Sequence, residues 1–189
     1  SSRGRIEMAF EVELKAWVRK AEALKRSLDT KEGLLYVGFE EKEDTYYALE
    51  ELPLLRIRKE VVNEERSLVV THKKRSTIDG IEENLEYEFS VDPLQEQAVH
   101  AFFTALGYRV AKRKFKRGWR YRQVHTTTTP GLTVELVHLE GLGWFIEVEA
   151  LVNTREERRQ AREELMAFLA SLGIDSSAIE SKPYLQLIG

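Results

Sequence analysis

The sequence predicts an α+β domain built on a largely antiparallel sheet. Three observations lead there. Short segments along the chain alternate apolar and polar residues at period two, as strands with one buried face do. Most of these segments are separated by short turns, which antiparallel pairing permits and parallel pairing does not. Only three segments carry the three-to-four-residue apolar spacing of a helix.

The first strand spans 10–15, with Phe10, Val12 and Leu14 on one face and Glu11, Glu13 and Lys15 on the other. Helical spacing of Trp17, Val18, Ala21, Leu24 and Leu28 predicts a helix over 16–28. A turn at 29–33 leads to a strand at 34–39, which runs through an acidic stretch into the β-prone 44–47. Strands follow at 54–58, 66–74 and 85–91. Asp92-Pro93 is an N-cap followed by a first-turn proline and opens a second helix, which Gly107 ends. A strand at 108–115 places Lys112, Lys114 and Lys116 at period two, and 119–127 continues it or starts its partner. A polar loop at 126–131 precedes strands at 132–139 and 144–150. Thr154 and Glu157 have capping-box spacing at the head of a long helix reaching Ser171, and 181–187 closes the chain as an extended tail.

The 189 residues, 42% of them hydrophobic, suffice for one domain with a sizeable core. Residues 1–7 are polar and are expected to be disordered or vector-derived, leaving 8–189 as a single domain. Charged residues make up 32% of the chain yet the net charge is only −3, so no basic excess favours nucleic acid. The absence of cysteine excludes disulfides and thiol chemistry. No apolar run reaches the length of a membrane span and no signal peptide is visible, so a cytoplasmic location is expected.

The charged strand faces recur. Glu11, Glu13 and Lys15 share a face, as do Arg56 and Arg58, Thr71 and Lys73, Glu86 and Glu88, Lys112, Lys114 and Lys116, and Glu147 and Glu149. Either this face meets water, or the sheet curls so that the face lines a tunnel with the helices outside. The second arrangement buries charges, at a cost tolerated where the charges are paired or bind ions. Two Glu-X-Glu pairs suit Mg²⁺ or Mn²⁺, hard cations that take carboxylate oxygen. The surrounding lysines and arginines suit a polyanion such as a triphosphate.

These residues carry a family resemblance. Glu11-Val-Glu13-Leu-Lys15 resembles the ExExK signature of the CYTH family, the triphosphate tunnel metalloenzymes. Asp44-Thr45-Tyr46-Tyr47, Leu55-Arg56-Ile57-Arg58, Thr71-His72-Lys73, Glu86-Tyr87-Glu88, Lys114-Phe115-Lys116 and the run from Glu140-Gly141-Leu142-Gly143 to Glu147-Val148-Glu149 are similar to further family stretches in the same order. The resemblance extends from about Ala9 to Leu187 and implies an eight-stranded antiparallel closed β-tunnel with flanking helices. It implies that Lys15, Arg56, Arg58, Lys73, Lys114 and Lys116 bind a triphosphate. It also implies that Glu11, Glu13, Glu147 and Glu149 hold Mg²⁺ or Mn²⁺, with Glu86, Glu88 and Glu135 as secondary candidates. No catalytic side chain is assigned, because phosphoryl transfer rests on positioning and charge stabilisation.

The chain departs from the family pattern at Val137, where a carboxylate is usual, and in a short segment between Tyr47 and Leu55. The expected activity is metal-dependent hydrolysis of inorganic tripolyphosphate or an organic triphosphate. The alternatives are a class IV adenylate cyclase making cyclic AMP and pyrophosphate, and a non-catalytic polyphosphate or nucleotide binder. A barrel with a merely solvated charged face is the plainest reading. The expected partner is a triphosphate-containing small molecule, not nucleic acid or membrane, and a homodimer is compatible with the sequence.

Other residues read as structural. His72 and His138 share the apolar parity of their strands, His100 is expected exposed on its helix, and His125 lies near the polar loop. Trp17, Trp119 and Trp144 are expected to pack, and Tyr184 to help close the end of the barrel.

Overall fold

The computed structural model describes residues 10–50, 52–78, 81–123 and 131–188, with side chains except at 10, 52–54, 73–78, 81–86 and 155. The expected polar loop at Thr126–Thr129, His125 and residues 1–7 lie outside these. Eight strands form the sheet: β1 (Phe10–Trp17), β2 (Leu34–Leu49), β3 (Leu52–Val62), β4 (Glu65–Ile78), β5 (Ile81–Val91), β6 (Arg109–Gln123), β7 (Thr133–Leu139) and β8 (Gly143–Val152). Four α-helices accompany them: α1 (Ala21–Asp29), α2 (Glu96–Ala105), α3 (Arg155–Ser171) and the single turn α4 (Tyr184–Leu187).

All the pairings are antiparallel, in the order β1-β5-β4-β3-β2-β6-β7-β8. β1 pairs with β8 along its whole length, from Phe10↔Val152 to Trp17↔Phe145. On its other edge it meets β5 through the two pairs Phe10↔Leu85 and Glu11↔Asn84. Asn63 and Glu64 link β3 to β4 with φ of 48° and 71°, the two left-handed positions that a tight hairpin turn requires.

The apolar strand faces point outward, under the helices. Leu24 and Leu28 of α1 and Leu165, Phe168 and Leu169 of α3 pack with Leu136, Ile146 and Val148 in one core. Val99 and Phe103 of α2 pack on a second, formed by Tyr47, Leu55, Ile57, Leu68 and Val70. The charged faces therefore point inward. Glu40 and Asp44 are 0% exposed and Lys42 is 3% exposed, which rules out a solvated face along β2.

Several local expectations are corrected. Trp17 ends β1 instead of joining α1, because strand pairing with β8 extends through Trp17↔Phe145, and its ring packs 4.1 Å from that of Phe145. The α1 helix accordingly begins at Ala21. The expected extended tail contains α4; the Leu185 carbonyl within it and the Ile188 carbonyl just after it accept hydrogen bonds from Lys112 Nζ at 2.8 and 2.7 Å. His100 is not simply exposed: its Nδ1 lies against the Tyr47 hydroxyl, and burial pushes its pKa down. The capping box at Thr154 and Glu157 forms as expected, and so does the Asp92 cap, which accepts from Leu94 N–H at 2.9 Å.

Candidate functional site

Strand alternation aims Glu11 and Glu13 at the interior, and the β1–β8 register sets Glu149 directly opposite Glu13. One carboxylate oxygen from each of the three lies within 4.8 Å of the others. Three oxygen donors at this spacing are the ligand type that a hard divalent cation takes.

Glu147 is two residues further along the same face but has different partners. Its Oε2 lies 2.6 Å from Lys116 Nζ, and its Oε1 accepts a hydrogen bond from the Tyr184 hydroxyl at 2.7 Å. Burial, with Glu147 beside it, pushes the Tyr184 hydroxyl pKa well above its ordinary value. Of the four carboxylates expected to hold metal, the structure groups three and puts the fourth in an ion pair.

The expected phosphate-binding cations line the same interior. Arg58 holds Asp44 through two parallel hydrogen bonds, and Lys114 Nζ lies 3.1 Å from the same carboxylate. Burial alone would raise the Asp44 pKa, yet Arg58 and Lys114 hold it well below the usual range. Arg56 donates to Thr71 Oγ1 at 3.0 Å, and that hydroxyl donates to Glu88 at 3.0 Å. The ammonium groups of Lys15 and Lys114 sit 5.1 and 5.2 Å from the centre of the Tyr184 ring. Lys73 and Glu86 face each other in the β4–β5 register, and their side chains lie outside those described.

A second charged group was not anticipated. Glu40 and Lys42 of β2, Glu60 of β3, Arg120 of β6 and Glu135 of β7 form a continuous network. Lys42 contacts Glu135, with Glu40 at 3.3 Å and Glu60 at 3.9 Å. Arg120 contacts Glu60, with Glu40 at 2.5 Å and Glu135 at 3.6 Å. Glu135 also pairs with Lys116 at 2.9 Å, so it belongs to this network and not to the carboxylate trio. Neither Glu40 oxygen accepts an aligned hydrogen bond despite these close cations. Burial, and then Glu135, raise the Glu40 pKa to about 7. Burial, and then Lys116, push the Lys42 pKa down. Parity with Asp44 could have revealed Glu40 and Lys42. The acids at Glu41 and Glu43 hide that signal by making both faces of the segment charged.

Val137 is fully buried on the interior side, in a cluster with Leu139, Phe145 and Tyr184, partly covered by Leu142 and Leu187. The position where a carboxylate was expected is thus part of an apolar plug at the end of the interior that carries α4. Opposite it, Gly118 is obligatory, because a Cβ there would lie 2.8 Å from Val137 Cα and closer still to the Leu136 carbonyl oxygen. Trp119 and Trp144 stack outside at 5.4 Å, as packing residues. Among the described residues, no helix is long and apolar enough to cross a membrane.

The profile of the CYTH domain matches residues 9–184. The chain is 28% identical over 137 residues to "Putative adenylate cyclase MJ0240" of Methanocaldococcus jannaschii, an alignment covering 71% of this chain and 70% of that protein. The structure of the PH1819 protein of Pyrococcus horikoshii OT3 superposes with a TM-score of 0.76 at 27% identity, covering 94% of this chain and 97% of that one. The PH1012 protein of the same organism gives 0.71 at 29% identity, covering 95% and 99%.

Proposed function

The chain belongs to the CYTH domain family, and from that premise we propose that it is a divalent-metal-dependent phosphohydrolase acting on a triphosphate compound bound inside a closed eight-stranded tunnel. The observation that carries this reading is that one interior holds both a carboxylate trio and a set of buried or half-buried cations. The β1–β5 seam supports a closed tunnel.

In this reading Glu11, Glu13 and Glu149 hold Mg²⁺ or Mn²⁺, and Glu147 orients Lys116 instead of ligating metal. Lys15, Arg56, Arg58, Lys114 and Lys116 bind the phosphate oxygens, joined by Lys73, whose backbone position is on the same wall. Arg58 offers a planar fork already set by Asp44, which lowers the cost of ordering it around phosphate. A bound divalent cation would neutralise phosphate charge and lower the pKa of the attacking water. The chain's own task is to hold the phosphates in line for attack with preset positive charge.

The named relative from Methanocaldococcus favours a second reading, cyclisation of ATP with release of pyrophosphate. Both reactions use the same metal and phosphate contacts and differ in which phosphorus is attacked. The test incubates the purified protein with tripolyphosphate, ATP or thiamine triphosphate and Mg²⁺ or Mn²⁺, reading inorganic phosphate and cyclic AMP together. Phosphate release that depends on metal and is lost in Glu11→Ala and Glu149→Ala is expected. Cyclic AMP as the main product would select the cyclase. Tight tripolyphosphate binding without turnover would select a binder, a reading that Val137 favours. Activity surviving both substitutions would overturn the metal assignment.

A further inference from the structure

We propose that Tyr184 is a positioning residue for phosphate binding: its ring presets the ammonium groups of Lys15 and Lys114, and its hydroxyl fixes the ring on the carboxylate that also holds Lys116. The inference rests on the triphosphate reading above and gives the C-terminal segment a part in that site.

Elements far apart in sequence meet at this side chain. Lys15 on β1 lies directly opposite Glu147 on β8 in the strand register. Both Glu147 oxygens are engaged, Oε2 by Lys116 and Oε1 by the Tyr184 hydroxyl. Lys15 Nζ sits 5.1 Å from the centre of the Tyr184 ring, and Lys114 Nζ of β6 sits 5.2 Å from it. The ring is held on its other contacts too. Phe145 meets it edge to face with the ring centres 5.0 Å apart, and Tyr184 is 8% exposed. Lys112 secures the backbone that follows by donating to the Leu185 and Ile188 carbonyls.

A ring and a carboxylate orient a lysine in different ways. Lys116 and Arg58 are held by carboxylates, whose negative charge also opposes an incoming phosphate. An aromatic face attracts an ammonium through its quadrupole and carries no net charge. Tyr184 therefore orients Lys15 without adding repulsion toward phosphate. It also steadies Lys114, whose other partner is Asp44 at 3.1 Å. An ammonium has three donors, and contact with a ring leaves donors for phosphate oxygens. Two long side chains ordered in advance lower the entropic cost that the substrate meets.

The test is calorimetric binding of inorganic tripolyphosphate in the presence of Mg²⁺, with each variant first shown to be folded by its thermal melt. Tyr184→Phe keeps the ring and is expected to bind within about three-fold of wild type, although it loses the hydroxyl. Tyr184→pentafluorophenylalanine keeps the shape of Phe but removes the attractive face, and Tyr184→Leu removes the ring. Both are expected to bind about ten-fold more weakly than Tyr184→Phe, the scale of two partly buried cation–π contacts. In a Lys15→Met background the ten-fold loss should shrink to about three-fold, because one of the two contacts is already gone. A merely structural Tyr184 would not distinguish the fluorinated ring from phenylalanine. Equal affinity of those two variants, or a loss unchanged by Lys15→Met, overturns the positioning role while the triphosphate reading stands. No tripolyphosphate binding by the wild-type protein overturns both.

Discussion

Arg58 grips Asp44 in a two-point clasp, Nε to Oδ1 at 2.7 Å and Nη2 to Oδ2 at 2.8 Å, with the carboxylate wholly buried. Removing one partner of such a pair strands the other charge away from water. Asp44→Asn is therefore expected to cost about 3–5 kcal/mol of unfolding free energy in urea at neutral pH. Because the folded pKa of Asp44 is depressed, its contribution is present above its unfolded value near 3.8 and is lost as the pH falls below it. The gap between wild type and Asp44→Asn should narrow below that pH. A gap that is constant with pH would show that Asp44 acts through shape and not charge.

Glu147 and Glu149 are two residues apart on one strand face yet are expected to respond differently to metal. Glu11→Gln and Glu149→Gln each remove one of three clustered donors and should raise the half-saturating Mg²⁺ or Mn²⁺ concentration at least about ten-fold. Glu147→Gln should change it less, and should instead weaken triphosphate binding by leaving Lys116 oriented by Glu135 alone. Metal titrations of activity separate the two effects. Equal shifts in all three variants would return Glu147 to the metal site.

Tyr184 ties the C-terminal segment to the interior through its hydroxyl on Glu147. A buried hydrogen bond to a charged acceptor is worth about 2 kcal/mol, so Tyr184→Phe should lower unfolding stability by that order. The ring itself stays in the cluster with Val137 and Phe145. A loss below about 0.5 kcal/mol would mean that the hydroxyl does not hold the segment.

Glu40 has a pKa raised to about 7 in the fold, against 4.5 unfolded. The folded state then binds more protons than the unfolded chain between these values, so this group's contribution to stability falls as the pH rises from 4.5 to about 7 and levels off above. Glu40→Gln removes that decline. Relative to wild type, the variant should gain at most about 3 kcal/mol between the two ends of the window. Urea unfolding at several pH values reads the difference directly. Parallel pH profiles for the two proteins would show that Glu40 is ionised throughout.

Much of the fold was legible because strands impose a period of two that survives in the residue order. Phe10-Glu11-Val12-Glu13-Leu14-Lys15 announced a two-faced strand, and so did the run around Glu147 and Glu149. The Thr154–Glu157 capping box was legible for the same local reason. Trp17 was misplaced because its apolar side chain fits a helical stripe and a strand equally well, and only pairing with Phe145 decides between them. The single turn of α4 depends on Lys112, more than seventy residues away, to bind its carbonyls.

The sequence by itself determined which residues share a face, and so that acids and bases occur together opposite an apolar surface. It determined the order of motifs that places the chain in its family. Only the tertiary structure decided that this charged surface is interior, since curvature comes from pairing around the whole sheet and not from any one strand. The same folding divided the charges. It grouped Glu11, Glu13 and Glu149, set Glu147 on Lys116, and surrounded Lys42 and Arg120 with Glu40, Glu60 and Glu135. Parity fixes the face on which a side chain lies, but its partner is set by register between strands distant in sequence, and that register exists only once the sheet has formed.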